Sequence, residues 1–175
     1  MNLNLNYYLF GIVGYVLFLF MNVKQLMQNT NKNVLYAIGS LIMVCGFFIG
    51  IIELFYDNNG KKLLKSTEIN IITDLPTDKI GLRHMFIFTF HFLNCYFPMN
   101  EGRLTLDMFA LLGHPILMFN VENKLGNVSL LLFYLLSTIK SSKIKTNNFV
   151  PVIGNLSLFL FFVFASIRSF TPLRM

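Results

Sequence analysis

Tryptophan is absent from this chain, alanine occurs only at Ala37, Ala110 and Ala165, and charged residues make up 13% of the 175 positions. A soluble domain carries about a quarter charged residues, so so sparse a supply excludes an ordinary water-facing surface. Cysteine is limited to Cys45 and Cys95, each inside an apolar segment and with no CxxC spacing. That excludes a disulfide framework or a thiolate metal knuckle, and both read as small apolar side chains. The opening MNLNLNYYLF has no positive n-region, no small-residue cleavage site and no arginine-rich amphipathic pattern. The first apolar run is therefore expected to be retained as a helix rather than removed as a leader.

What is present is apolar: 55% of residues are hydrophobic and 20 are phenylalanine. The few charges fall in clusters, and long uncharged runs lie between them. Residues 33–52 and 146–167 each approach the roughly 20 residues that cross a bilayer. Residues 7–23 are shorter, with Tyr7, Tyr8 and Tyr15 as headgroup anchors and Asn22 at the exit. Residues 84–100, 108–121 and 125–139 are shorter still, suited to tilted, buried or partly inserted helices. The expected architecture is all-α: an integral membrane protein with five or six transmembrane or membrane-embedded helices, forming one domain over residues 1–175.

One sizeable aqueous loop is expected at residues 57–83. It carries turn chemistry in Asp57-Asn58-Asn59-Gly60 and Pro76, and a short β-prone stretch from Ile69 to Thr73. Its lysines make it the candidate for the side on which the chain is synthesised. The net charge of +6 arises from 14 basic and 8 acidic residues. The basic residues sit between apolar runs, so membrane orientation and anionic lipid headgroups account for them, and nucleic acid is not expected as a partner.

The residues with chemistry to offer are His84, His91 and His114. His84 and His91 are seven apart, which on a helix is one face and about 10 Å along the axis, too far for one metal ion. His91 lies in the stretch FTFHFLNCYF and His114 in a separate apolar run, so facing helices would present them as axial ligands of a haem b. The competing reading of each is a neutral side chain hydrogen-bonded to a backbone carbonyl or to Thr89 or Asn94. His84, after Arg83, reads as an interfacial anchor. The face His84, Phe88, His91 and Cys95 is expected to meet protein, with Phe86, Phe90, Leu93 and Phe97 turned elsewhere. Among acids, Glu53 reads as an interfacial group with proton transfer as the alternative, and Asp107 as a helix N-terminal charge. No lysine or arginine stands near the middle of a span, which speaks against an antiporter-like relay. Gly46-Phe47-Phe48-Ile49-Gly50 has the GxxxG spacing that lets helices approach closely, marking Gly46 and Gly50 as the packing surface. Asn127-Val128-Ser129 and Asn155-Leu156-Ser157 match the glycosylation pattern but lie in apolar runs.

The abundance of phenylalanine, asparagine, isoleucine, tyrosine and lysine beside scarce alanine resembles the hydrophobic, mitochondrially encoded respiratory-chain proteins of protists, ciliates in particular. Phe119-Asn120-Val121-Glu122 is similar to a tetrad of the quinone-site subunit of complex I, but Leu111-Leu112-Gly113-His114-Pro115 stands where its acidic cluster would be. Gly81-Leu82-Arg83-His84-Met85 is similar to a Gly-x-Arg-His stretch of the succinate dehydrogenase membrane anchor, whose haem-ligating histidine falls here in loop. No specific subunit is matched, and no site is carried over. The resemblance implies a noncatalytic subunit of a large complex in the mitochondrial inner membrane, with other membrane subunits as partners. A haem-binding redox subunit and a small independent transporter or channel are the alternatives.

Overall fold

The computed structural model describes residues 3–29, 34–56, 81–97, 104–143 and 149–170. They form six helices: α1 (Leu3–Asn29), α2 (Val34–Tyr56), α3 (Leu82–Tyr96), α4 (Leu104–Phe119), α5 (Lys124–Lys143) and α6 (Val150–Phe170). No strand occurs among the described residues, so the chain is all-α, with the higher of the two expected helix numbers. The β-prone stretch at residues 69–73 and most of the expected loop, residues 57–80, lie outside the described residues.

Three helices are long and apolar enough to cross a membrane, within Asn6–Gln28, Val34–Phe55 and Val150–Phe170, consistent with an integral membrane protein. By contrast, α3 has 15 residues and α4 has 16, or about 22–24 Å at 1.5 Å per residue. α5 has 20 residues but carries Asn127 and Ser129 on its buried face.

Each helix packs on its neighbours in the chain, and α6 returns to α1, while no other pair of helices comes into backbone proximity. The contacts run antiparallel: Gly11 meets Leu54, Gly46 meets Ile87, and Gly126 meets Leu117. The chain is thus an up-and-down ring of six helices. One end gathers the C-terminal ends of α1, α3 and α5 with the N-terminal ends of α2, α4 and α6. Aromatic side chains fill much of the ring's interior. Phe18 of α1 reaches Tyr134 of α5 at 6.3 Å between ring centroids, and His91 of α3 reaches Phe133 of α5 at 5.1 Å. Offset and edge-to-face aromatic pairs of this kind add about 0.5–1.5 kcal/mol beyond area burial.

Glycine lets the ring close. A Cβ on Gly46 would stand 3.0 Å from Ile87 Cγ1 and 3.1 Å from Phe86 Cβ, and one on Gly50 would stand 3.2 Å from Arg83 Cδ. The GxxxG face of α2 is therefore occupied by α3 of the same chain. On α1, a Cβ at Gly14 would come within 2.5 Å of Leu158 Cδ2, so α6 reaches α1 only because nothing is there. The turn from α4 to α5 is made by asparagines. Asn120 Oδ1 accepts from the Glu122 N–H at 3.1 Å, and Asn123 Oδ1 accepts from Leu125 and Gly126 N–H at 3.0 and 3.3 Å. The Phe119–Glu122 tetrad is thus the end of a helix and its turn.

Candidate functional site

A column of polar side chains runs through the α2, α3 and α4 side of the ring. On α3 the buried positions are Arg83, His84, Ile87, His91 and Asn94, spaced at three, four and seven residues so that they share one face. The expected face placed Phe88 and Cys95 on this stripe. Both are half-buried at its edge instead, and the turn-by-turn advance of the helix gives the inward places to Ile87 and Asn94. Both cysteines are free and half-buried.

At one end of the column, Glu53 of α2 holds Arg83. Its Oε2 pairs with Arg83 Nη1, and its Oε1 accepts from the Arg83 backbone N–H at 3.1 Å. That N–H is among the donors the first turn of a helix leaves unsatisfied, and Gly81 at the N-cap supplies no side-chain cap. Glu53 therefore caps α3 from a neighbouring helix. Arg83 also lies 5.8 Å from the centre of the Tyr15 ring. Glu53 and Arg83 are 8% and 6% exposed, so Glu53 sits inside the ring instead of reaching outward as an interfacial acid. The ion pair offsets the cost of burying it.

His84 is wholly buried, not an exterior anchor, and its Nδ1 lies 2.9 Å from Nδ1 of His114. One of these nitrogens carries the proton and donates, and the other accepts, so the two imidazoles hold complementary tautomers. His114 in turn stacks on His91, with ring centroids 5.8 Å apart and planes 14° from parallel. It thus fills the gap of two turns between His84 and His91 that the spacing on α3 leaves open. The Nε2 atoms of His84 and His114 are buried without a hydrogen-bond partner among the described residues. Buried polar atoms of that kind are rare and mark a site with work to do.

His91 Nδ1 lies 2.8 Å from Asp107 Oδ1, and Asn94 Nδ2 donates to Asp107 Oδ2 at 2.9 Å. Asp107 stands in the first turn of α4 as expected, but its carboxylate is engaged by α3. A histidine whose Nδ1 faces a carboxylate is held in one orientation. This answers what His91 does among the phenylalanines: its ring is fixed by an acid, not by Thr89, which donates to the Met85 carbonyl.

The column opens into a cavity of about 240 Å³ inside the ring, lined by polar side chains including Asn22, His91, Asp107, Ser137, Lys140 and Asn155 among Phe18, Phe47, Phe90 and Phe133. Asn155 Nδ2 donates to Ser141 Oγ at 3.1 Å and to the Pro151 carbonyl at 2.8 Å. Asn127 is 2% exposed and donates to the Val121 carbonyl. Both glycosylation-pattern asparagines thus face the interior.

His91 and His114 do lie together on facing helices. Axial ligation needs each imidazole to present a nitrogen edge-on to an iron between them. Their ring centroids are 5.8 Å apart with planes 14° from parallel, and each engages its Nδ1 with another side chain, which leaves Nε2 as the nitrogen that would face an iron. No cluster of three or more side chains suited to a metal ion occurs among the described residues. The sequence pointed to the histidines and to Asn94 as a polar neighbour, but missed Arg83 as a buried partner and the capping role of Glu53. The available signal was spacing, since Arg83, Ile87, His91 and Asn94 recur at helical intervals. No protein-family model, curated protein or solved structure matches the chain.

Proposed function

We propose that this chain is a noncatalytic, membrane-embedded subunit of a larger assembly, of the kind found in respiratory complexes of the mitochondrial inner membrane. The observation that carries the reading is the shortness of two neighbouring helices. Side by side, α3 and α4 extend about 22–24 Å, against a hydrocarbon core of about 30 Å. A helix shorter than the bilayer thins the lipid around it or associates with other protein, and the cost grows with each ångström of mismatch. The outer face of this pair presents Met85, Phe92, Tyr96, Met108 and Leu112, a flexible and aromatic surface suited to packing against a second membrane subunit. The compositional resemblance to mitochondrially encoded respiratory-chain proteins supports the choice of membrane.

Gly46 and Gly50 then act inside the chain, holding α3 against α2, and the contact with partners falls to α3 and α4. Gentle solubilisation of source membranes followed by native-gel separation and mass spectrometry tests the reading. Co-migration with other membrane subunits in a large band is expected. A photoreactive residue in place of Phe92 should form cross-links to one of them. Migration as a monomer or small homo-oligomer, with cross-links to lipid alone, refutes it.

A further inference from the structure

We propose that the His91–Asp107 pair, His114 and His84 form a proton-conducting column between the polar cavity and the Glu53 end of the ring. The inference goes beyond the assembly role and stands without it. Three independent features point the same way. Ionisable groups inside a membrane helix bundle are costly and mark proton or ion routes by default, and here six of them, Glu53, Arg83, His84, His91, Asp107 and His114, are gathered with Asn94 on one side of one ring. The two ring nitrogens left without partners belong to adjacent histidines in the middle of the column, both at most 1% exposed. And the cavity brings polar surface to His91 and Asp107, and to no other member of the column.

The chemistry is a sequence of proton hops that balances at every step. Neutral His91 keeps its Nδ1 proton on Asp107 and accepts a proton at Nε2 from water in the cavity. The Asp107 carboxylate stays 2.8 Å from Nδ1 and holds the ring in place. A turn of the stacked imidazoles, or one bridging water, carries that proton to the bare Nε2 of His114. His114 then passes its own Nδ1 proton across the 2.9 Å contact to Nδ1 of His84. His84 releases the proton from its Nε2 to a water at the Glu53 end. The two rings finish with their tautomers exchanged, and each is reset when a bridging water takes the proton from one ring nitrogen and returns one to the other. No other reactant is consumed.

The charged groups around the route shape it. Asp107 draws a proton in at the cavity end, and Lys140 on α5 also lines that cavity. Arg83, next to His84 in the chain, is paired with Glu53, so an ion pair closes the far end. Hopping between ring nitrogens moves a proton and carries no metal cation.

The full chain is purified and reconstituted into liposomes that enclose a pH-sensitive dye, with potassium and valinomycin clamping the potential, and an external pH step is applied. The internal pH is expected to follow the step faster than in protein-free vesicles. A positioned proton-transfer group is worth about 100-fold or more, so His114→Gln, which keeps hydrogen-bonding capacity but carries no mobile proton, should reduce the rate to that of empty vesicles. Circular dichroism and the unfolding midpoint report whether this variant folds. Should it not, Asp107→Asn replaces it, keeping an acceptor for α3 and losing the charge that faces His91 Nδ1, with the same loss expected. Wild-type flux no faster than empty vesicles overturns the proposal, as does undiminished flux in a folded variant. Replacing external protons with a sodium or potassium step should give no protein-dependent flux, and a comparable rate would show an open pore in place of a proton column.

Discussion

Replacing Glu53 by glutamine should destabilise the chain by about 3–5 kcal/mol, the usual cost of removing one partner of a buried ion pair. The geometry supports the upper class of effect because both groups are at most 8% exposed. Glutamine keeps an oxygen for the Arg83 backbone N–H but turns an amide donor toward Arg83 Nη1, leaving a buried cation facing a donor. Arg83→Met should cost a similar amount for the opposite reason, since the carboxylate then lacks its counter-charge. Combining Glu53→Gln with Arg83→Met removes both charges and keeps the cap on α3, so the double variant should lose less than the two single losses added together. A coupling of about 2 kcal/mol falls within the range for residues in direct contact. Reversible unfolding in mixed detergent and SDS micelles, followed by circular dichroism, measures all four proteins of the cycle. A loss under about 1 kcal/mol for Glu53→Gln, the range of exposed pairs, would mean the pair is solvated. Strict additivity in the double variant would likewise refute the buried-pair argument.

Gly46→Leu should lower the unfolding midpoint of the purified chain by itself, by about 1–3 kcal/mol or more, because even a Cβ there stands 3.0 Å from Ile87 Cγ1. An unchanged midpoint with weakened recovery of other subunits would instead place that face at an intersubunit contact. Gly14→Ala should also destabilise, since the new Cβ meets Leu158 Cδ2 at 2.5 Å and its backbone nitrogen at 3.2 Å; the same unfolding assay checks it, and a neutral result would mean α1 and α6 can separate at little cost. Asp107→Leu removes the acceptor that His91 and Asn94 share, at about 1–3 kcal/mol, whereas Asp107→Asn keeps one acceptor and should lie between it and the wild type. A reversed order in the unfolding midpoints would show that Asp107 does not serve both α3 side chains.

The composition and hydropathy of the chain were enough to give its helical class and an apolar run under each of the six helices, because apolar runs between charged clusters have few other ways to satisfy their backbone. Helix ends were less legible. Residues 7–23 extend to Leu3–Asn29 in α1, since polar residues such as Asn22 and Gln25 continue a helix when they face the cavity inside the ring. The histidines were visible as candidates, and Gly46 and Gly50 as a packing surface. Which groups meet was decided only by the tertiary structure. Glu53 and Arg83 lie 30 residues apart, as do His84 and His114, and no local pattern registers one helix against the next. That register is set by where glycine permits approach and by which buried charges find partners. A buried charge or ring nitrogen has a defined role only once the neighbouring helix is in place.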